Sequence, residues 1–108
     1  MTAHEILIAA KAELLTRGWH QGAFQNAETG EVCALGALNR AACGQPLMML
    51  LTDEGVRVHM RAWQLLESAI GCAEVHVWND DPARTPEEVL AAFDRAIALA
   101  ETREAVTA

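Results

Sequence analysis

"EVCALGALNRAACG", residues 31–44, contains a single charge after Glu31, that of Arg40. A helix that is apolar nearly all round has no face for water and lies buried. Ala34, Gly36, Ala37, Ala41 and Ala42 are small enough to let neighbouring helices approach closely. The stretch therefore predicts a central helix ending near Gly44, with the other elements packed around it.

Upstream, Thr2 and Glu5 have the T-x-x-E spacing of a capping box, in which each side chain satisfies an orphan amide of the first turn. Ile6, Leu7, Ala10 and Leu14 follow as an apolar stripe at helical spacing. Glu13 and Arg17 can pair at i,i+4. Gly18 is the natural stop, and Trp19 is expected to fold back onto the helix end. Residues 19–31 form a connector, with a turn at 26–30. A minor β-hairpin near 23–32, pairing Ala23–Gln25 with Glu31–Val32, is one outcome.

Downstream, Gly44-Gln45-Pro46 breaks the chain. "LMMLL", 47–51, reads as a short helix or a buried strand. It belongs to the core or forms an adaptable methionine surface for a partner. A third helix is expected from about Glu54 to Ile70 after a cap at Thr52 or Asp53, with Val56, Met60, Trp63, Leu66 and Ile70 as its stripe. Asp53 can pair with Arg57, and Gly71 stops it. Residues 72–84 connect to the last helix, and Val75, Val77 and Trp78 suggest an extended segment. That last helix has the clearest start in the chain: Thr85 as N-cap, Pro86 at the first position and Glu88 at the third. Val89, Phe93, Ile97 and Ala100 form its buried side. The sum is an all-α, compact four-helix domain with short connectors, covering residues 1–108 as one unit.

Composition supports this reading. The chain has 21 alanines, one lysine and seven arginines, and alanine is the best helix former. Its 52% hydrophobic content disfavours global disorder. The formal net charge of −7 argues against direct nucleic-acid binding, which needs a basic face. It also disfavours docking to an anionic membrane. No run of residues suits a membrane span, no secretory signal is evident, and Cys33, Cys43 and Cys72 make an odd count. The expectation is reduced thiols in a cytoplasmic protein.

Few residues form a chemical constellation. Cys33 lies near the start of the central helix, where the dipole favours a thiolate. His20 and His76 lie in connectors and could act as its base, with Asp80 orienting the imidazole. Such a cysteine between small apolar residues is more commonly part of the core. Cys72 and His76 have spacing for one zinc ligand pair, but a second pair is lacking, so no metal and no cofactor are expected.

"HVWNDDPARTPEEV", 76–89, is the least ordinary stretch. Trp78 needs a partner for its N–H when buried. Asn79 and Asp80 can bond their own backbone in an Asx-turn, and Arg84 can pair with Asp80. Each residue has a structural role open to it, and the acids exceed what one turn requires.

"RGWHQGAF", "VCALGALNRAA" and "VWNDDPARTPEEVLAAFDRA" together resemble a family of small uncharacterised proteins from actinobacteria and their phages. Its pattern is G-W-x-Q-G, then a C-x-x-G-A-L helix, then a W-N-D turn before a final helix. The resemblance brings no activity with it. It groups Trp19, Gln21, Gly22, Cys33, Gly36, Trp78, Asn79 and Asp80, and it implies that the G-W-x-Q-G connector and the W-N-D turn lie together at the ends of packed helices. Relatives place a cysteine at the position of His20, which suits a site or a half-buried loop.

The leading expectation is a non-enzymatic acidic protein that binds another protein, encoded by a phage or prophage as an accessory or host-modulating factor. Self-association as a homo-oligomer is a subsidiary expectation. Trp19, Gln21, Trp78, Asn79 and Asp80 are the candidate binding residues. The alternative is a thiol enzyme or small-ligand binder, with its site between the Trp19–Gly22 connector, Cys33 and the Trp78–Asp80 turn. A third reading, mimicry of nucleic acid, requires the acids of the last helix and of residues 80–81 to share one face.

Overall fold

The computed structural model describes residues 1–45 and 52–107, with side chains to residue 103. The 47–51 segment therefore lies outside the described residues. Five helices are described: α1 (Ala3–Arg17), α2 (Ala34–Cys43), α3 (Asp53–Ile70), α4 (Val75–Asn79) and α5 (Pro86–Thr107). The described residues contain no strand, so the architecture is all-α, as the composition and periodicity led us to expect.

The local start signals act as read. Glu5 N donates to Thr2 Oγ1 at 3.1 Å, and Thr2 N donates to Glu5 Oε1 at 2.9 Å, closing the capping box of α1. Thr52 Oγ1 accepts from Gly55 N at 3.0 Å to cap α3. Glu88 N donates to Thr85 Oγ1 at 3.2 Å, and Thr85 N donates to Glu88 Oε1 at 3.0 Å ahead of α5. Those bonds, the amide of Thr85 first, hold the Glu88 carboxyl below its ordinary range.

α1 packs most extensively on α2, and α3 on α5, while α1 also touches α5. The core gathers Ile6, Leu7, Ala10 and Leu14 of α1, Leu35 and Leu38 of α2, Leu65 and Leu66 of α3, and Val89 and Phe93 of α5. From Ala34 to Asn39 every residue of α2 is buried, which fits its predicted central place. Ala92, Ala96 and Ala100 form the small-residue side of α5, where Ile97 had been expected to be fully buried and is instead half-buried.

Four elements differ from the sequence reading. The helix expected from Glu31 begins at Ala34, because Val32 is held in isolated bridges to Trp19 and Gln25. The hairpin at 23–32 reduces to that single antiparallel bridge at Gln25, since so short a pair has no face to bury. Residues 75–79, expected to be extended, form α4, with Val75 turned into the core. α3 is rotated relative to its expected stripe: His59, Ala62, Leu65 and Leu66 face inward, while Val56 and Met60 remain 43% and 44% exposed. α3 packs on α5, and Ala62 shares the buried core with Ala92, Ala96 and Ala100. His59 is tolerated inside because its Nε2 lies 3.0 Å from Asn39 Oδ1. Burial pushes the His59 imidazole below its ordinary pKa. One pairing also shifts: Arg57 bonds Glu54 at 2.9 Å instead of Asp53.

Candidate functional site

An apolar helix that starts inside the protein must import acceptors for its first amides, because water cannot reach them. The N-terminus of α2 does so from three directions. Cys33 N donates to Phe24 O at 3.2 Å, Ala34 N donates to Asn79 Oδ1 at 3.0 Å, and Gly36 N donates to Cys33 Sγ at 3.3 Å. Phe24 O comes so close that a Cβ on Gly36 would lie 1.9 Å from it. This contact explains glycine at that position of the C-x-x-G sequence.

Asn79, the last residue of α4, has 0% exposure. Its Oδ1 also accepts from Trp19 Nε1 at 2.7 Å. Its Nδ2 donates to His20 O at 3.1 Å and to Asp80 Oδ1 at 3.0 Å. Two acceptor and two donor positions are thus filled, which is all that an amide offers. Gln21 Nε2 completes the knot by donating to Asn79 O at 3.0 Å and Asp81 O at 2.8 Å, binding carbonyls that α4 leaves open at its end. Gly22 N donates to Asp80 Oδ1 at 3.0 Å. The 19–22 connector, the start of α2 and the 78–80 turn are therefore one hydrogen-bonded unit.

Two expected local roles move by a residue. The Asx-turn belongs to Asp81, whose Oδ1 accepts from Ala83 N at 2.9 Å, because Asn79 and Asp80 are spent on distant partners. Arg84 does not pair with Asp80. It bonds Glu88 at 3.0 Å, approaches Asp81 at 3.9 Å and lies 4.1 Å over the Trp78 ring, while its Nε donates to Trp78 O at 3.0 Å.

Beside this knot lies a cleft of about 580 Å³. The connector supplies Gly22, Ala23 and Phe24, α2 and its cap supply Leu35 and Cys33, α3 supplies Trp63, and His76 and Asp80 close the side. Three of the proposed catalytic residues, Cys33, His76 and Asp80, thus share one cavity. His20 does not line it. No hydrogen bond joins either histidine to Cys33 among the described residues, and Cys33 Sγ caps α2 instead. Burial pushes the Cys33 thiol above its ordinary pKa, the amides of Gly36 and Leu35 oppose this, and the Asp80 carboxylate adds to the rise. Dehydration thus outweighs the helix dipole that had suggested a thiolate here.

Of the candidate binding residues, Asp80 alone lines the cleft. Trp19, Gln21 and Asn79 form its internal scaffold, and Trp78 lies under Arg84. The wall residues missed by sequence reasoning are Phe24, Leu35 and Trp63. Phe24, 38% exposed in a polar connector, was the available signal. A family described as a family of unknown function (DUF6197) matches residues 1–99. The chain belongs to that family. No curated protein and no solved structure matches it. As a member of DUF6197, the chain gains a family but no inherited activity, so function must be argued from the cleft. Among the described residues, no helix is long and apolar enough to cross a membrane.

Proposed function

We propose that this DUF6197 protein is a non-enzymatic binding protein and that a partner protein inserts a side chain into the cleft between the 22–24 connector, Leu35 and Trp63. The observation that carries this reading is the division of labour around Asn79. The polar groups of Trp19, Gln21 and Asn79 are used internally, beside a preformed cavity with mainly apolar walls onto which Asp80 faces. Concave, apolar and largely preformed sites with a few fixed polar groups are what binding sites look like.

A thiol chemistry draws support from Cys33, His76 and Asp80 sharing the cleft, but the protonated, capping thiol suits a wall better than a nucleophile. Mimicry of nucleic acid has less support, since Asp94 pairs with Lys11, Glu88 with Arg84 and Glu101 with His4.

Panning a random peptide library on the immobilised protein tests the proposal. Ala23 is exposed on the cleft wall, so Ala23→Trp fills the cavity without opening the core. Peptides selected on the parent protein should lose at least tenfold in affinity for Ala23→Trp. Peptides that bind both equally would place recognition elsewhere.

A further inference from the structure

We infer that the side chain taken by the cleft is basic, a lysine or arginine whose stem lies on Phe24, Leu35 and Trp63 and whose charge meets Asp80. This rests on the binding reading above and specifies its partner chemistry.

The argument starts from the carboxylate. Asp80 Oδ1 is fixed by Gly22 N and Asn79 Nδ2, both at 3.0 Å. Those two donors orient the group, and Oδ2 has no partner among the described residues. Arg84, the counter-ion that the sequence suggested, is committed to Glu88, Asp81 and the Trp78 ring. The side chain of His76, which shares the cleft lining, makes no hydrogen bond or ion pair to the Asp80 carboxylate among the described residues. Asp80 is therefore held in place with one carboxylate oxygen open, and it shares the cavity with Cys33, Phe24, Leu35 and Trp63. Among the described residues, no lysine or arginine lines the cleft.

The rest of the wall suits the stem of such a side chain. Lysine and arginine carry three or four methylenes that cover apolar surface while the charged end seeks a counter-ion. Aromatic walls at Phe24 and Trp63 add attraction for a cation. An anionic group would be repelled by the Asp80 carboxylate, with no lysine or arginine on the described lining to offset it. A neutral apolar group would fit the walls but leave the free oxygen of Asp80 partly dehydrated. The formal net charge of −7 acts in the same direction by attracting basic partners over longer range.

Small probes separate these cases. n-Butylguanidinium, its neutral isostere N-butylurea, and pentanoate would each be titrated into the protein at pH 7.5, following the Gly22 amide and the Trp63 indole N–H by two-dimensional NMR. The expected result is that butylguanidinium binds about fivefold more tightly than butylurea, the scale of one solvent-accessible ion pair, with pentanoate weakest. Asp80→Asn keeps an oxygen for Gly22 and Asn79, and it should bring the two cleft binders within twofold of each other. Added salt should weaken butylguanidinium alone. Equal binding of butylguanidinium and butylurea to the parent protein overturns the inference and leaves the cleft reading intact. Absence of binding by all three probes overturns the inference. If the selected peptides also ignore Ala23→Trp, the cleft reading fails with it.

Discussion

Replacing Asn79 by alanine removes a side chain that joins three segments distant in sequence. Its loss leaves the Ala34 N–H without an acceptor at the buried start of α2, and it frees Trp19 Nε1–H and His20 O. Asp80 Oδ1 still has Gly22 N. An unsatisfied buried group costs about 1–3 kcal/mol. Ala34 is fully buried, so its amide stands near the middle of that range, about 2 kcal/mol. Trp19 and His20 are half-buried and can recruit water, which limits their combined cost to roughly 1–2 kcal/mol. The total is about 3–4 kcal/mol, a large share of the roughly 5–15 kcal/mol that holds a domain folded. Urea unfolding followed by tryptophan fluorescence should show it. With a slope of about 1.3 kcal/mol per molar for a chain of this size, the midpoint should fall by roughly 2–3 M. Asn79→Asp gives an independent signature. It retains an acceptor but loses both donors and places a second carboxylate against Asp80. Its folded pKa then lies above the unfolded value of about 3.9. Stability is accordingly present below that value and is lost as pH rises through the folded pKa. A midpoint shift under about 0.5 M for Asn79→Ala, or an Asn79→Asp variant no less stable at neutral pH, would refute the reasoning.

Other predictions follow from single contacts. Gly36→Ala drives a Cβ to within 1.9 Å of Phe24 O; the clash costs about 3 kcal/mol, a helix-propensity gain of about 1 kcal/mol offsets part of it, and a net loss of about 2 kcal/mol should appear in thermal unfolding. Burial depresses the His59 pKa below the ordinary 6.5. The protein should therefore lose stability as pH falls below 6.5, where the unfolded chain takes up a proton and the folded one does not, and His59→Gln should flatten that part of the pH profile. Cys33 is buried and its pKa raised, whereas Cys43 and Cys72 are partly exposed. Alkylation by iodoacetamide at pH 8, read by peptide mass spectrometry, should therefore reach Cys33 about tenfold more slowly or less. Preferential labelling of Cys33 would revive the thiol-enzyme reading.

What the sequence disclosed follows the range of the interactions. Thr2 with Glu5 and Thr85 with Glu88 act over three residues, so spacing reveals them. The burial of α2 follows from its composition alone. α4 was hidden because Val75 and Val77 have strand preference, and a helix of this length is set by where Val75 docks and not by propensity. The inward face of α3 includes His59, whose partner Asn39 lies 20 residues away and has no spacing signature. The bonds of Asn79 to Trp19 and Ala34 cross 60 and 45 residues and have no spacing signature. Nearness of the G-W-x-Q-G and W-N-D segments was implied by family resemblance, but which of their residues support the cleft and which line it required the fold. Trp19, Gln21 and Asn79 hold the walls, and Phe24, Leu35 and Trp63 are the walls.

On the proposed reading, the scaffold built around Asn79 presents the cleft to a partner. Chemical-shift mapping of a peptide selected on the parent protein tests it most directly. The largest changes are expected at the Gly22 and Phe24 amides, the Leu35 methyls and the Trp63 indole N–H, with the Asn79 side-chain amide unmoved. Changes centred instead on the exposed Ile8 and Leu15 of α1, or on Val56 and Met60 of α3, with a silent cleft, would contradict it.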